Sequence, residues 1–362
     1  DDAQGRRAVR DVRRGGKSAA VQLTLDSTQE YEVLIGVFGH GAAEAAKGGD
    51  FHPNYSLEIV PGVPSVPSKP TVHVNVPVVN SFDPNEKAGP AGAGAAAFLD
   101  PAALMPYTVY FENDPDQATA PAQTVTITDQ LDADLDWSSF RFGQIAFGER
   151  VVDVSGSPTF HFEADTTVSY DDYPVRVVAD FDPQTGLVTW QISSYDPLTG
   201  RTPRSPLAGF LPPNDEQHRG EGFVTYTIRP QAAPATGVEI RNEASIVFDI
   251  NPAIVTNETV HTIDAAAPGS RVADLPSQLN ATSIPVAWSG DDENGAGSGI
   301  AGYDVYVSTD GGPYERWLAN TAATSGQYPG LPGHEYAFYS VATDLVGHTE
   351  AAPAQPDAVT TL

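Results

Sequence analysis

The chain has 362 residues, 40 % of them apolar and only 18 % charged. That is long enough for about two or three domains and apolar enough to offset the entropy of ordering, so global disorder is excluded. Nineteen basic residues stand against 47 acidic ones, a net charge of −28, and a field of that sign repels phosphate backbones and anionic headgroups, which excludes nucleic acid and membrane insertion; the absence of cysteine removes disulfide scaffolds, thiolate metal sites and cysteine nucleophiles together.

Thirty-one prolines and 33 glycines punctuate the chain and exclude long helices. Residues 1–17 concentrate Arg6, Arg7, Arg10, Arg13, Arg14 and Lys17, so the basic charge is gathered at one end and the remainder is more acidic than the average. No apolar run reaches the ~18 residues of a membrane span. The chain begins at Asp1 and Met105 is its one methionine, so it is expected to be a processed or excised piece.

In chain order, β-branched or alternating runs predict strands at 20–25, 31–38, 55–60, 71–79, 107–112, 124–128, 175–181, 187–192, 222–228, 240–248, 255–263, 283–288, 300–308 and 336–342. Residues 1–62 read as a small or partial β-domain with a basic N-terminal segment. Residues 63–81 follow as a proline-rich linker and leading strand, because prolines 61, 64, 67 and 70 enforce an extended backbone. A second break falls where Asp264-Ala-Ala-Ala-Pro268 interrupts the strand series. The expected fold class is therefore all-β, a tandem of antiparallel β-sandwich domains.

Two stretches carry a family resemblance. Residues 82–264 hold Phe82-Asp-Pro-Asn-Glu-Lys87, preceded by Ser81, then Tyr107-Thr-Val-Tyr-Phe-Glu-Asn113, a strand ending Thr-Asp-Gln-Leu-Asp132, and Asn242-Glu-Ala-Ser-Ile-Val-Phe-Asp-Ile-Asn-Pro252. This resembles the conserved-repeat β-sandwich domains of large bacterial secreted and surface proteins, whose shared motifs belong to the sandwich framework and carry no catalysis. Residues 265–362 hold Gly297-Ser-Gly-Ile-Ala-Gly-Tyr-Asp-Val-Tyr-Val-Ser308 and Tyr336-Ala-Phe-Tyr-Ser-Val-Ala-Thr-Asp-Leu-Val-Gly347. They are similar to the fibronectin type III-like and immunoglobulin-like modules of bacterial adhesins and exoenzymes.

No Gly-x-Ser-x-Gly elbow, His-Glu-x-x-His pair or phosphate loop occurs in the sequence, so the expectation is a non-enzyme; a hydrolase reading would need Ser or Asp beside His161, His218 or His261. Calcium is the cofactor expected instead, since hard cations take six to eight oxygen ligands and acidic loops offer them. The candidate ligands are Asp132, Asp134 and Asp136, with Asp129 just ahead of them; Asp291 and Asp292, with Glu293 and Asn294 following; and a hinge set of Asp249, Asn251, Asp264, Asp344 and Glu350. The resemblance adds that tandem adhesin modules bind calcium at their junction through an aspartate before Ala-Pro and one in an Ala-Thr-Asp turn, which here are Asp264 and Asp344. The competing reading is that these acids cap turns and solvate a surface.

Alternation puts Tyr303 and Tyr306 on opposite faces of one strand, and Trp137, Trp190 and Trp288 read as core. The expectation is a non-catalytic structural module of a bacterial surface or secreted protein, a stalk, adhesin or filament subunit stiffened by calcium, with an extracellular or cell-surface location. Its partners would be neighbouring copies or adjacent domains of the same protein, with glycans as a further candidate. The alternative is an accessory or carbohydrate-binding region of a secreted enzyme.

Overall fold

The computed structural model describes residues 85–154 and 160–362, together with the backbones of two short strands, 55–57 and 74–76. The chain divides into two units, Asp1–Asn80 and Ser81–Leu362. In the first, β1 (Tyr55–Leu57) pairs antiparallel with β2 (Val74–Val76); the strands predicted at 20–25 and 31–38 lie outside the described residues.

The second unit opens with β3 (Lys87–Ala88), β4 (Phe98–Leu99), β5 (Met105–Glu112), β6 (Thr124–Gln130), β7 (Leu135–Phe147), β8 (Arg150–Asp153) and β9 (His161–Thr167). It continues with β10 (Pro174–Asp182), β11 (Leu187–Ser194), β12 (Glu221–Pro230), β13 (Glu239–Asn242), β14 (Ala244–Phe248), β15 (Ile254–Val255) and β16 (Thr259–Ile263). One sheet has the order β15-β14-β6-β11-β10-β9 and faces a second, β3-β5-β12-β7-β8, while β13-β16-β4 forms a small third sheet. All pairs among these strands are antiparallel except β4 with β16. This is the first sandwich.

Its core follows from the pleat, which sends successive side chains to opposite faces. In β5 the inward set is Met105, Tyr107, Val109 and Phe111, each at most 1 % exposed; burying such a side chain stabilises by about 1.5–3 kcal/mol. Trp190 sits at the centre, its ring 5.9 Å from Tyr226 and 6.0 Å from Phe142.

Two predicted runs divide. Residues 240–248 form β13 and β14, which belong to different sheets, and 255–263 form β15 and β16, which do likewise. A chain that passes from one sheet to the other at a sandwich corner keeps its β-branched composition while changing partners. The 13-residue β7 has no counterpart among the predicted strands. Its pairing with β12 shifts register twice, and each bulge resets the alternation by which a strand is recognised.

The second sandwich comprises β17 (Gly269–Val272), β18 (Ile284–Asp291), β19 (Ile300–Thr309), β20 (Glu315–Thr321), β21 (Ser325–Tyr328), β22 (Glu335–Asp344) and β23 (Ala358–Thr361). Three strands, β17-β18-β21, face four, β20-β19-β22-β23, over a separate core that includes Val286, Trp288, Val305 and Phe338. Tyr303 is buried and Tyr306 is half-exposed, on the two faces of β19. Among the described residues the one helical element is a 3-10 turn, Glu293–Gly295, and no helix is long and apolar enough to cross a membrane. The fold is all-β, tandem antiparallel sandwiches joined at Asp264.

Candidate metal centre

The joint is built from three chain segments. Asp264 directly follows β16, and its N–H donates to the Leu99 carbonyl (2.9 Å), tying it to the first sandwich. Its side chain reaches the second, where Oδ2 accepts the Ser298 N–H (2.7 Å). Asp292 follows β18, and its Oδ2 accepts the Gly299 N–H (2.7 Å). Asp344 ends β22, where its Oδ1 accepts the N–H groups of Val346, Gly347 and His348 at 3.0, 2.7 and 2.8 Å.

All three aspartates are buried, at 0, 3 and 2 % exposure. Each therefore has one oxygen held by backbone donors, which leaves the other available. Asp264 Oδ1, Asp292 Oδ1 and Asp344 Oδ2 are buried without a hydrogen-bond partner. Ligand atoms of Asp264, Asp292 and Glu293 lie within 4.8 Å of one another, as do those of Asp264, Asp344 and His348, so Asp264 belongs to both groups. Buried carboxylates without compensation are costly, and burial, followed by the charges of Asp264, Asp344 and Glu293, raises the Asp292 pKa.

Gly297 makes this approach possible: a Cβ there would lie 2.4 Å from Asp292 Oδ2, so the loop passes the carboxylate only as bare backbone. His348 closes the other side. Its Nδ1 is 3.1 Å from Asp344 Oδ2 and its Nε2 is 2.8 Å from Asp100 Oδ2 of the first sandwich. Burial works against its protonation, but the hydrogen bond to Asp100 and the charges of Asp344, Asp100 and Asp264 outweigh that and raise its pKa. Three inward carboxylates, two with a free oxygen and the third shared with His348, are a hard-cation donor set, and the residues fit calcium in kind.

Of the predicted ligands, the structure brings together Asp264, Asp344 and Asp292. Asp291 is exposed and caps the 3-10 turn by accepting the Asn294 N–H (2.5 Å). Asp249 accepts the N–H groups of Gln123 and Thr124 at 2.9 and 2.8 Å, and Asn251 is exposed on the turn after β14. Both lie away from the joint. Glu350 accepts from Ser270 Oγ (2.6 Å) and the Ala342 N–H (3.0 Å) within the second sandwich.

The series Asp132, Asp134, Asp136 is a turn: Asp132 accepts the N–H groups of Asp134 and Arg241 (2.9 and 2.8 Å), and Asp136 accepts Ser138 N–H and Oγ–H (3.0 and 2.6 Å). Asp129 departs from that series altogether and points into the core. Sequence reasoning missed the part played by His348 and Asp100, which are 248 residues apart and share no local pattern.

Tandem β-sandwiches joined through a buried acidic cluster define the class. Residues 83–198 and 209–262, just under half of the chain and nearly all of the first sandwich, match the family model described as a domain of unknown function (DUF7619). Among curated proteins none matches the sequence.

Similar solved structures include domains D2 and D3 of the major pilin SpaD of Corynebacterium diphtheriae, at 12 % identity over 75 % of this chain and 84 % of that one, with a TM-score of 0.29. The C-terminal domain of the antigen I/II-family protein AspA of Streptococcus pyogenes is 8 % identical over 77 % of this chain and 100 % of that one, with a TM-score of 0.34. The collagen-binding domain of a Staphylococcus aureus adhesin is 11 % identical over 51 % of this chain and 99 % of that one, with a TM-score of 0.26.

Proposed function

We propose that the chain is a non-catalytic structural module of a bacterial surface or secreted protein, in which calcium at the Asp264 joint stiffens the link between the two sandwiches. The observation that carries this reading is the convergence of inward oxygens on Asp264, Asp292 and Asp344, the first two without a hydrogen-bond partner and the third facing His348 Nδ1 at 3.1 Å, contributed by the linker and by two strand ends of the second sandwich. A cation there would neutralise mutually repelling carboxylates, and because Asp264 is also hydrogen-bonded to Leu99, the neutralised cluster would hold one sandwich against the other. A fibronectin type III-like assignment of the second sandwich rests on its three-on-four strand order.

The test uses the cysteine-free background. Cysteines placed at exposed Leu198 and Leu331 (94 and 65 % exposed) accept spin labels, one on each sandwich. Calcium is expected to narrow the distance distribution relative to chelator, and Asp264→Ala to abolish the narrowing. Equal widths in calcium and chelator would refute the stiffened joint.

The carbohydrate-binding alternative has one observation in its favour. Tyr306 and Tyr339 pair across β19 and β22 with centroids 4.8 Å apart, and Tyr314 packs edge-on at 4.6 Å, forming an aromatic patch on the outer sheet face. A glycan-array signal lost in Tyr314→Ala would favour that reading.

A further inference from the structure

The least expected group in the molecule is Lys87. Its side chain and that of Asp129 are both fully buried, at 0 % exposure, and Nζ is in direct contact with Asp129 Oδ2. The ring faces of Tyr107 and Tyr226 cover Nζ, with centroids 5.1 and 5.4 Å away. Tyr226 donates its hydroxyl proton to the same Oδ2 (2.9 Å) and accepts from Asn242 Nδ2 (3.0 Å). The remaining oxygen, Asp129 Oδ1, is buried without a partner. Asn257 fixes the lysine backbone from both sides, accepting its N–H at Oδ1 and donating Nδ2–H to its carbonyl, each at 2.9 Å.

As an ion pair this arrangement is poorly compensated. A desolvated pair is favourable only where its remaining protons and lone pairs are satisfied, and here one carboxylate oxygen is orphaned. As two reactants it is well arranged: amine and carboxyl group are held in contact in a fully buried site, where proximity replaces a bimolecular encounter.

We propose that Lys87 and Asp129 condense into an intramolecular amide, Nζ to Cγ, a covalent bond between the first strand of the sandwich and the opposite sheet. A proton passes from the ammonium to Oδ2, leaving a neutral amine and a carboxylic acid. The Nζ lone pair adds to Cγ, the second Nζ proton leaves with Oδ2, and one water is released as the C–O bond breaks. No oxidant, cofactor or co-substrate enters the balance. The Tyr226 hydroxyl supports the departing oxygen, and burial, followed by the Asp129 charge, keeps that phenol protonated. Burial likewise lowers the Lys87 pKa against the opposing pull of Asp129, which favours the nucleophilic form. The product removes both charges from a fully buried site, where unneutralised charge is costly.

The bond would join β3, which pairs with β5 through only two residues, to β6 of the other sheet, locking the strand through which the chain enters the sandwich. It goes beyond the cation at the joint and stands without it.

The test is the intact mass of the denatured full chain. The expected result is a deficit of one water, absent in Lys87→Met and in Asp129→Ala, together with a branched tryptic peptide joining Lys87 to Asp129 and no cleavage after Lys87. A wild-type chain of full sequence mass that trypsin cuts after Lys87 would overturn the proposal. So would a deficit of one ammonia with the branch at Asn242 or Asn257, which would move the electrophile from Asp129 to an asparagine.

Discussion

Asp264→Asn separates a cation-binding joint from an ordinary acidic turn, because the two predict opposite signs. The asparagine keeps an oxygen to accept the Ser298 N–H and removes the charge shared by both ligand groups. In chelator the variant is expected to be as stable as the parent or more so, since one of three like charges leaves a buried cluster. In calcium the order reverses. Extracellular calcium modules bind at about 10⁻⁴–10⁻³ M, so about 10 mM metal stabilises the parent by roughly 1.4–2.7 kcal/mol through mass action. A unit the size of the second sandwich shifts by about 4–8 °C per kcal/mol, giving a rise of roughly 6–22 °C in its transition. Differential scanning calorimetry in calcium, magnesium and chelator reads all of this. A parent transition indifferent to calcium, or an equal response in parent and Asp264→Asn, would refute the reasoning.

Further outcomes follow from the same geometry. Gly297→Ala, whose new Cβ would lie 2.4 Å from Asp292 Oδ2, is expected to displace that carboxylate and abolish the calcium-induced shift; an undiminished shift would show that Asp292 is not a ligand. Trp190→Ala, at the fully buried centre of the first sandwich, is expected to cost about 3–5 kcal/mol, measured from denaturant midpoints. His261 is buried with its Nε2 2.7 Å from the Pro90 carbonyl, and desolvation lowers its pKa below 6.5 despite that hydrogen bond. The unfolded chain therefore binds the proton more readily, so stability is full above pH 6.5 and falls as the pH drops through the folded-state pKa. Urea midpoints between pH 7 and 5 should decline more steeply in the parent than in His261→Gln.

Much of the scaffold was legible locally. Met105, Tyr107, Val109 and Phe111 alternate with polar neighbours, and the structure buries that set; the same rule placed β10, β12, β19 and β22. It failed at β7, where two register shifts against β12 interrupt the period. The acids divide along a similar line. Asp129 continues the inward series of Val125 and Ile127 in β6, a pattern that marks an acid turned toward the core. The turn acids that follow it carry no such mark and satisfy backbone N–H groups.

Composition and spacing alone determined an all-β chain of acidic, proline-punctuated sandwiches, because the pleat writes burial into every second residue and the prolines bar helices wherever they fall. Only the tertiary structure decided which charges meet. Asp264, Asp292 and Asp344 converge at the joint, and Lys87 meets Asp129 across the core, because these contacts are made between strand ends and facing sheets. Their sequence separations, 42 residues for the lysine pair, are set by the order in which strands cross the sandwich, and no local period carries that order.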